Sequence, residues 1–151
     1  MKIRLANESD LSQLMAMSEA AGSSAHWTRQ QWMDIFGTNV PARVAWIAED
    51  VVQGEIRAIG FLVAQNAGIE WELENIAVLR AHVRQGVGRG LLLAFLAYSR
   101  SMGAGRILLE VRESNVSAIA LYRQCGFQLV GLRRDYYGNP VENALILVHS
   151  F

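Results

Sequence analysis

The sequence predicts an α/β (α+β) domain with one mixed, mostly antiparallel sheet of about seven strands and about four helices on its two faces. Three observations predict it. The strand-like and helical runs follow the order β-α-α-β-β-β-α-β-α-β-β, which one sheet with helices on both faces satisfies. Arg106–Val111 is short and almost wholly apolar, the mark of a strand covered on both sides. Gly86–Met102 carries Val87, Leu91, Ala94, Phe95 and Tyr98 at helical spacing.

In chain order, Lys2–Ala6 reads as a strand. Ser9 is the expected cap of a first helix whose apolar side holds Leu11, Leu14, Met15 and Met17. Thr28-Arg29-Gln30-Gln31 has capping-box spacing and should open a short second helix through Trp32 and Phe36, stopped by Gly37. Ala42–Glu49 and Ile56–Ala64 form a hairpin across Asp50–Glu55, and Glu70–Val78 is the next strand. After the helix 86–102 and the buried strand, Asn115–Gln124 is a helix ended by Gly126. Phe127–Arg134 and Asn143–Val148 close the chain around the turn Tyr137-Gly138-Asn139-Pro140.

A chain of 151 residues, 52% hydrophobic and 19% charged, suits one domain spanning 1–151. Fourteen basic residues balance fourteen acidic ones, so no net field favours nucleic acid or an anionic membrane. The single cysteine, Cys125, excludes an internal disulfide and a multi-cysteine metal site, and reads as a small buried hydrophobe. His26, His82 and His149 lack ligand spacing, so no metal is expected. Met1–Leu5 is already strand-like and the longest apolar run, Leu91–Tyr98, is too short to span a bilayer. A cytoplasmic protein is expected.

Arg84-Gln85-Gly86-Val87-Gly88-Arg89-Gly90 lies between a strand and an amphipathic helix. Glycines let backbone N–H groups approach a ligand closely, and the helix start adds partial positive charge, a combination suited to a phosphate or pyrophosphate. Taken alone, the segment is equally consistent with a tight turn bearing solvated arginines. It lacks the Gly-Lys-Ser/Thr of a phosphate loop, and its Gly-x-Gly-x-Gly spacing is not the Gly-x-Gly-x-x-Gly of a dinucleotide fingerprint.

The segment resembles the pyrophosphate loop of the GNAT acetyltransferases, Arg/Gln-x-x-Gly-x-Gly/Ala, in the register Gln85-x-x-Gly88-x-Gly90; the usual register would begin at Val83, a departure. Three further segments are similar to one subgroup, the bacterial ribosomal-protein-alanine N-acetyltransferases: Glu74–Val78, Leu109–Asn115, and Ala118–Tyr122 continuing through Gly126-Phe127. A fourth, Arg133–Tyr137, resembles their substrate-side hairpin. The likeness covers about residues 70 to 140, and His26-Trp27 stands where relatives carry Pro-Trp.

The resemblance implies acetyl transfer from acetyl-CoA to an amine by direct attack in a ternary complex, with central strands that splay. It implies Glu110 as general base and Tyr122 as general acid. Ile76, Ala77, Val78, Arg84, Gln85, Gly86, Val87, Gly88, Arg89, Gly90, Asn115 and Ala118 would bind the cosubstrate, and Glu70, Glu72, Asn75, Tyr136 and Tyr137 the acceptor. The acceptor implied is a protein N-terminus, such as that of a small-subunit ribosomal protein; acetylation of a lysine or small amine, or a non-catalytic acyl-CoA-binding module, are the other readings.

The residues themselves are compatible with these roles. Asn115, Ala118 and Tyr122 share one helix face. An ionised Glu110 at the end of an apolar strand is costly unless paired, with Arg112 or Arg106 as partners, or used. Glu70, Glu72 and Glu74 alternate on one strand face with Trp71, Leu73 and Asn75 between them, and repel unless something positive arrives.

Overall fold

In the computed structural model the described residues are 1–21, 26–38 and 41–151. Strand β1 (Lys2–Leu5) leads to a 3-10 turn over Glu8–Asp10, and α1 (Leu11–Ala21) follows directly. The cap is Asn7 and not Ser9. Its side chain accepts from the Ser9 amide at 3.0 Å while Asp10 accepts from the Asn7 amide at 2.8 Å, so the chain has already turned before Ser9. Arg4 then bridges Asp10 (2.8 and 2.9 Å) and Glu49 (2.7 Å), tying the start of α1 to the sheet; its guanidinium holds Asp10 below the usual carboxylate range.

The predicted Thr28–Gln31 box opens α2 (Arg29–Asp34) with both reciprocal bonds made. Strands β2 (Ala42–Val52) and β3 (Glu55–Ala67) turn through Gln53 and Gly54, both left-handed (φ 53° and 81°), the geometry that matches strand twist in a two-residue hairpin. Both run past their apolar centres into polar ends such as Asp50↔Arg57, which is why hydrophobic patterning ended them early. The chain continues as β4 (Glu70–Val78), α3 (Val87–Ser101), β5 (Arg106–Arg112), α4 (Val116–Gln124), β6 (Gln128–Tyr137) and β7 (Glu142–Ser150). The last two strands are again longer than expected, and Tyr137 ends β6 instead of starting the turn.

The sheet order is β1-β2-β3-β4-β5-β7-β6, with every neighbouring pair antiparallel except β4–β5. Each face has its own core. α1 and α2 bury Leu14, Met17 and Trp32 against Ile47, Phe61 and Val63; α3 and α4 bury Leu91, Leu92, Phe95 and Tyr122 against Trp46, Trp71, Ile107 and Leu109.

The parallel junction positions the site. β4 and β5 pair only at Glu70↔Arg106, Trp71↔Ile107 and Glu72↔Leu108. Beyond Glu72, β4 keeps its bonds to β3 as far as Val78, and β5 keeps its bonds to β7 as far as Arg112. The two halves of the sheet therefore part, as the splayed strands expected from the resemblance.

Candidate active site

Where β4 and β5 part, a recess of about 220 Å³ is walled by Glu72, Leu73 and Glu74 from β4, Glu110 from β5, Tyr136 and Tyr137 from β6, and Trp27 before α2. Paired strand residues share a face, so this side of the sheet is set by register.

Two of the three β4 glutamates already have cations. Arg106 holds Glu70 (Nε–Oε2 2.7 Å) because the parallel register sets them side by side, and Arg43 from β2 holds Glu74 at 2.8 and 3.2 Å. The expected trio of unpaired carboxylates reduces to Glu72, which no ion pair reaches among the described residues. Loss of water pushes its carboxyl above the ordinary range, and Glu74, Glu110 and Glu70 add to the push.

Asn75 does not alternate with the glutamates as expected. The register with β3 slips between Val63↔Asn75 and Ala64↔Leu73, leaving Glu74 as an extra residue, and that bulge shifts Asn75 to the glutamates' side. Asn75 is 4% exposed, and among the described residues neither polar atom of its amide has a hydrogen-bond partner.

Glu110 is half-buried and pairs with neither Arg112 nor Arg106. Its partner is Arg133 of β6 (Nε–Oε1 2.9 Å), and Tyr136 lines the same recess, where the charge of Glu110 helps to push the Tyr136 phenol above the ordinary tyrosine value. Arg112, Ala144 and Arg133 lie across three strands in register, and the small Ala144 lets Arg133 reach over β7. Arg112 is held by Glu142 at 3.2 Å and lies 4.1 Å from the Tyr137 ring centre. Arg133 and Trp27 belong to the site yet carried no assignment from sequence; the hairpin pattern and the His26-Trp27 pair were their only signals.

On the other side of the opening, Tyr122 is 5% exposed, with its ring 5.8 Å from Phe127. Burial pushes its phenol well above the ordinary tyrosine value, and interaction with Tyr137 adds to the effect. Its hydroxyl keeps its proton. Asn115 caps α4, accepting from the Ala118 amide at 3.3 Å.

The glycine segment separates into three roles. Arg84 (φ 59°) and Gly86 (φ 81°) are both left-handed, the kind of turn that gathers successive amides on one side. Gly86 opens α3 without a side-chain cap, so the amides of Val87, Gly88 and Arg89 have no partner within the helix. Space beside Gly86 is open, whereas a Cβ on Gly88 would lie 3.3 Å from Leu121 and one on Gly90 2.7 Å from Ile3. Those two glycines let α3 pack closely on α4 and β1. Arg84, Gln85 and Arg89 are exposed, and Val87 is buried.

Amides in β4 are equally unequal. Leu79 donates to Ile59 of β3, so strand alternation sends the Ala77 amide to β3 and those of Ile76 and Val78 toward the opening.

Residues 10–127 match the acetyltransferase (GNAT) family. Over 68 residues the chain is 48% identical to the N-alpha-acetyltransferase RimI of Mycobacterium tuberculosis, covering 45% of this chain and 41% of that protein. Over 77 residues it is 43% identical to the [ribosomal protein bS18]-alanine N-acetyltransferase of Escherichia coli, covering 51% of this chain and 52% of that one. The match thus spans about half the length of these relatives. The crystal structure of the ribosomal-protein-S18-alanine N-acetyltransferase from Escherichia coli superposes with a TM-score of 0.84 at 28% identity, over 99% of this chain and 92% of that one.

Proposed function

The chain belongs to the acetyltransferase (GNAT) family, and from that premise we propose that residues 1–151 form one domain that transfers acetyl from acetyl-CoA to the N-terminal α-amine of a protein. The observation that carries the reading is the parting of β4 and β5 with a carboxylate, Glu110, on one side and a buried, protonated phenol, Tyr122, on the other.

The residues present fit acetyl-CoA. The left-handed turn at Arg84 and Gly86 and the uncapped amides of Val87, Gly88 and Arg89 suit a pyrophosphate, with Arg84, Gln85 and Arg89 exposed at its edge. Ala118 is small enough to leave room along α4, beside Asn115. Bound there, acetyl-CoA supplies a thioester carbon open to attack and a thiol leaving group.

Within that arrangement the Ile76 and Val78 amides face the opening, where they can donate to a developing oxyanion. Glu110 accepts the proton that the acceptor ammonium must lose, directly or through water. Tyr122 holds a proton at its hydroxyl for the leaving sulfur. Glu72, the unpartnered carboxylate of the recess, attracts the ammonium, and Tyr136 and Tyr137 line its approach. The unpaired amide of Asn75 supports a place for it on the acceptor side, and Glu70 lies at the far end of that strand.

The acceptor class follows from proton chemistry. An α-amine with pKa ~7.7–8.0 loses its proton more readily than lysine at ~10.4, a gap of about 2.5, or roughly 3.4 kcal/mol. A site whose assigned base, Glu110, is already paired with Arg133 suits the weaker demand. The relatives, an N-alpha-acetyltransferase and a ribosomal-protein-alanine N-acetyltransferase, support this reading, and a ribosomal-protein alanine is the finer form of the proposal. Turnover on an alanine-led peptide with a free N-terminus, against the same peptide blocked at its N-terminus with one lysine free, tests it. The free N-terminus should give kcat/KM at least tenfold higher; a preference for the lysine would overturn the assignment.

A further inference from the structure

β6 and β7 do not pair evenly beside the recess. Arg133 pairs with Ala144 and Tyr137 with Glu142, so three residues, Arg134, Asp135 and Tyr136, stand opposite the single residue Asn143. Asp135 is left-handed there (φ 51°). A non-glycine residue in that conformation carries a cost and persists only where its surroundings hold it.

Asn143 is what holds it. Its Oδ1 accepts from the Asp135 amide at 3.0 Å, and its Nδ2 donates to Glu113 Oε2 at 3.1 Å. Its backbone carbonyl also accepts from the Glu113 amide at 3.1 Å. Next to it, Glu142 accepts from the Ser114 amide at 2.7 Å. The pair therefore clips the loop between β5 and α4 to the bulge of β6. Arg133, which reaches Glu110, stands just before that bulge, and Tyr136, which lines the recess with Glu110, is its last residue.

We infer that Asn143 is a positioning residue: through the bulge it fixes where Tyr136 and Arg133 stand beside Glu110, and so sets the acceptor side of the site. The inference rests on the proposed acetyl transfer. Asn143 touches neither reactant; it acts through Tyr136 and Arg133.

Because each arm of the amide has its own partner, a swap can test it. Asn143→Asp keeps the acceptor for the Asp135 amide but sets two carboxylates against each other at 143 and 113. Adding Glu113→Gln restores a donor–acceptor pair with the roles exchanged and the net charge unchanged. Assays run at high salt screen the added charge of the single variant. The single variant should raise the peptide KM at least fivefold and leave the acetyl-CoA KM within twofold, and the double variant should return the peptide KM to within twofold of wild type. An unchanged peptide KM in Asn143→Asp overturns the inference, as does a parallel rise of both KM values with a falling Tm, or a double variant that fails to recover. Wild-type enzyme inactive on every peptide would instead remove the acetyl-transfer reading itself.

Discussion

Tyr122 shows how a residue's chemistry is set by where it is put. Water is excluded from its phenol, and ionising it would place a charge in that dry surrounding. The sign is plain: a raised value keeps the neutral, proton-bearing form well above neutral pH. A thiolate formed in the same dry space is desolvated as well, so donor and acceptor rise together and the transfer stays feasible. Tyr122→Phe should cut kcat roughly 10²–10⁴-fold with little change in acetyl-CoA affinity. In wild type, kcat should show no falling alkaline limb up to pH 9.5, since the donor does not deprotonate in that range. Stopped-flow or steady-state assays across pH check both. Near wild-type turnover in the variant would reduce Tyr122 to a packing residue against Phe127.

Elements, not single residues, shape the glycine turn. α3 follows its cap Gly86 with three amides unpaired within the helix, and a Cβ at Gly88 would lie 3.3 Å from Leu121, which would have to give. Two variants should therefore behave differently. Gly88→Val presses on Leu121, so acetyl-CoA affinity should fall more than tenfold, about 1.4 kcal/mol, and Tm should fall with it. Gly86→Ala meets open space but strains a left-handed position, at about 1–2 kcal/mol. Its affinity should fall while core packing is unchanged. Calorimetric titration with thermal melts separates them; unchanged affinity in both would remove the cradle. The helix and its turn were legible in the sequence because Val87, Leu91 and Phe95 keep helical spacing. What each glycine avoids was not, because Leu121 and Ile3 come from distant elements. The β4 bulge at Glu74 was hidden for a related reason: nothing in Glu-Asn-Ile interrupts a strand pattern, and only the register with β3 reveals the extra residue. Arg133 lay unseen as the partner of Glu110 because β7, later in the chain, inserts between β5 and β6.

At the scale of the molecule, the sheet is two antiparallel halves joined by three pairs of residues. One half carries β4 with its outward amides and acidic face; the other carries β5 with Glu110 and, through β7, the β6 hairpin. A cosubstrate approaching along α3 and α4 and an acceptor approaching past Trp27 would meet at the place where the halves part, without rearrangement of either core. The seven strands and four helices follow from patterning and capping, but the parting does not: Ile107, Leu109 and Val111 look alike in sequence, and only pairing shows that the ladder to β4 stops at Leu108. That geometry places Glu110 on β5 just beyond the last pair with β4, where Arg133 holds it. The most direct measurement is kcat/KM for a free alanine-led peptide from pH 6.5 to 9.5, in wild type and in Glu110→Gln. The variant should lose two or more orders of magnitude near neutrality and recover in part as solvent deprotonates the α-amine. A Glu110→Gln enzyme as active as wild type at pH 7 would contradict the account.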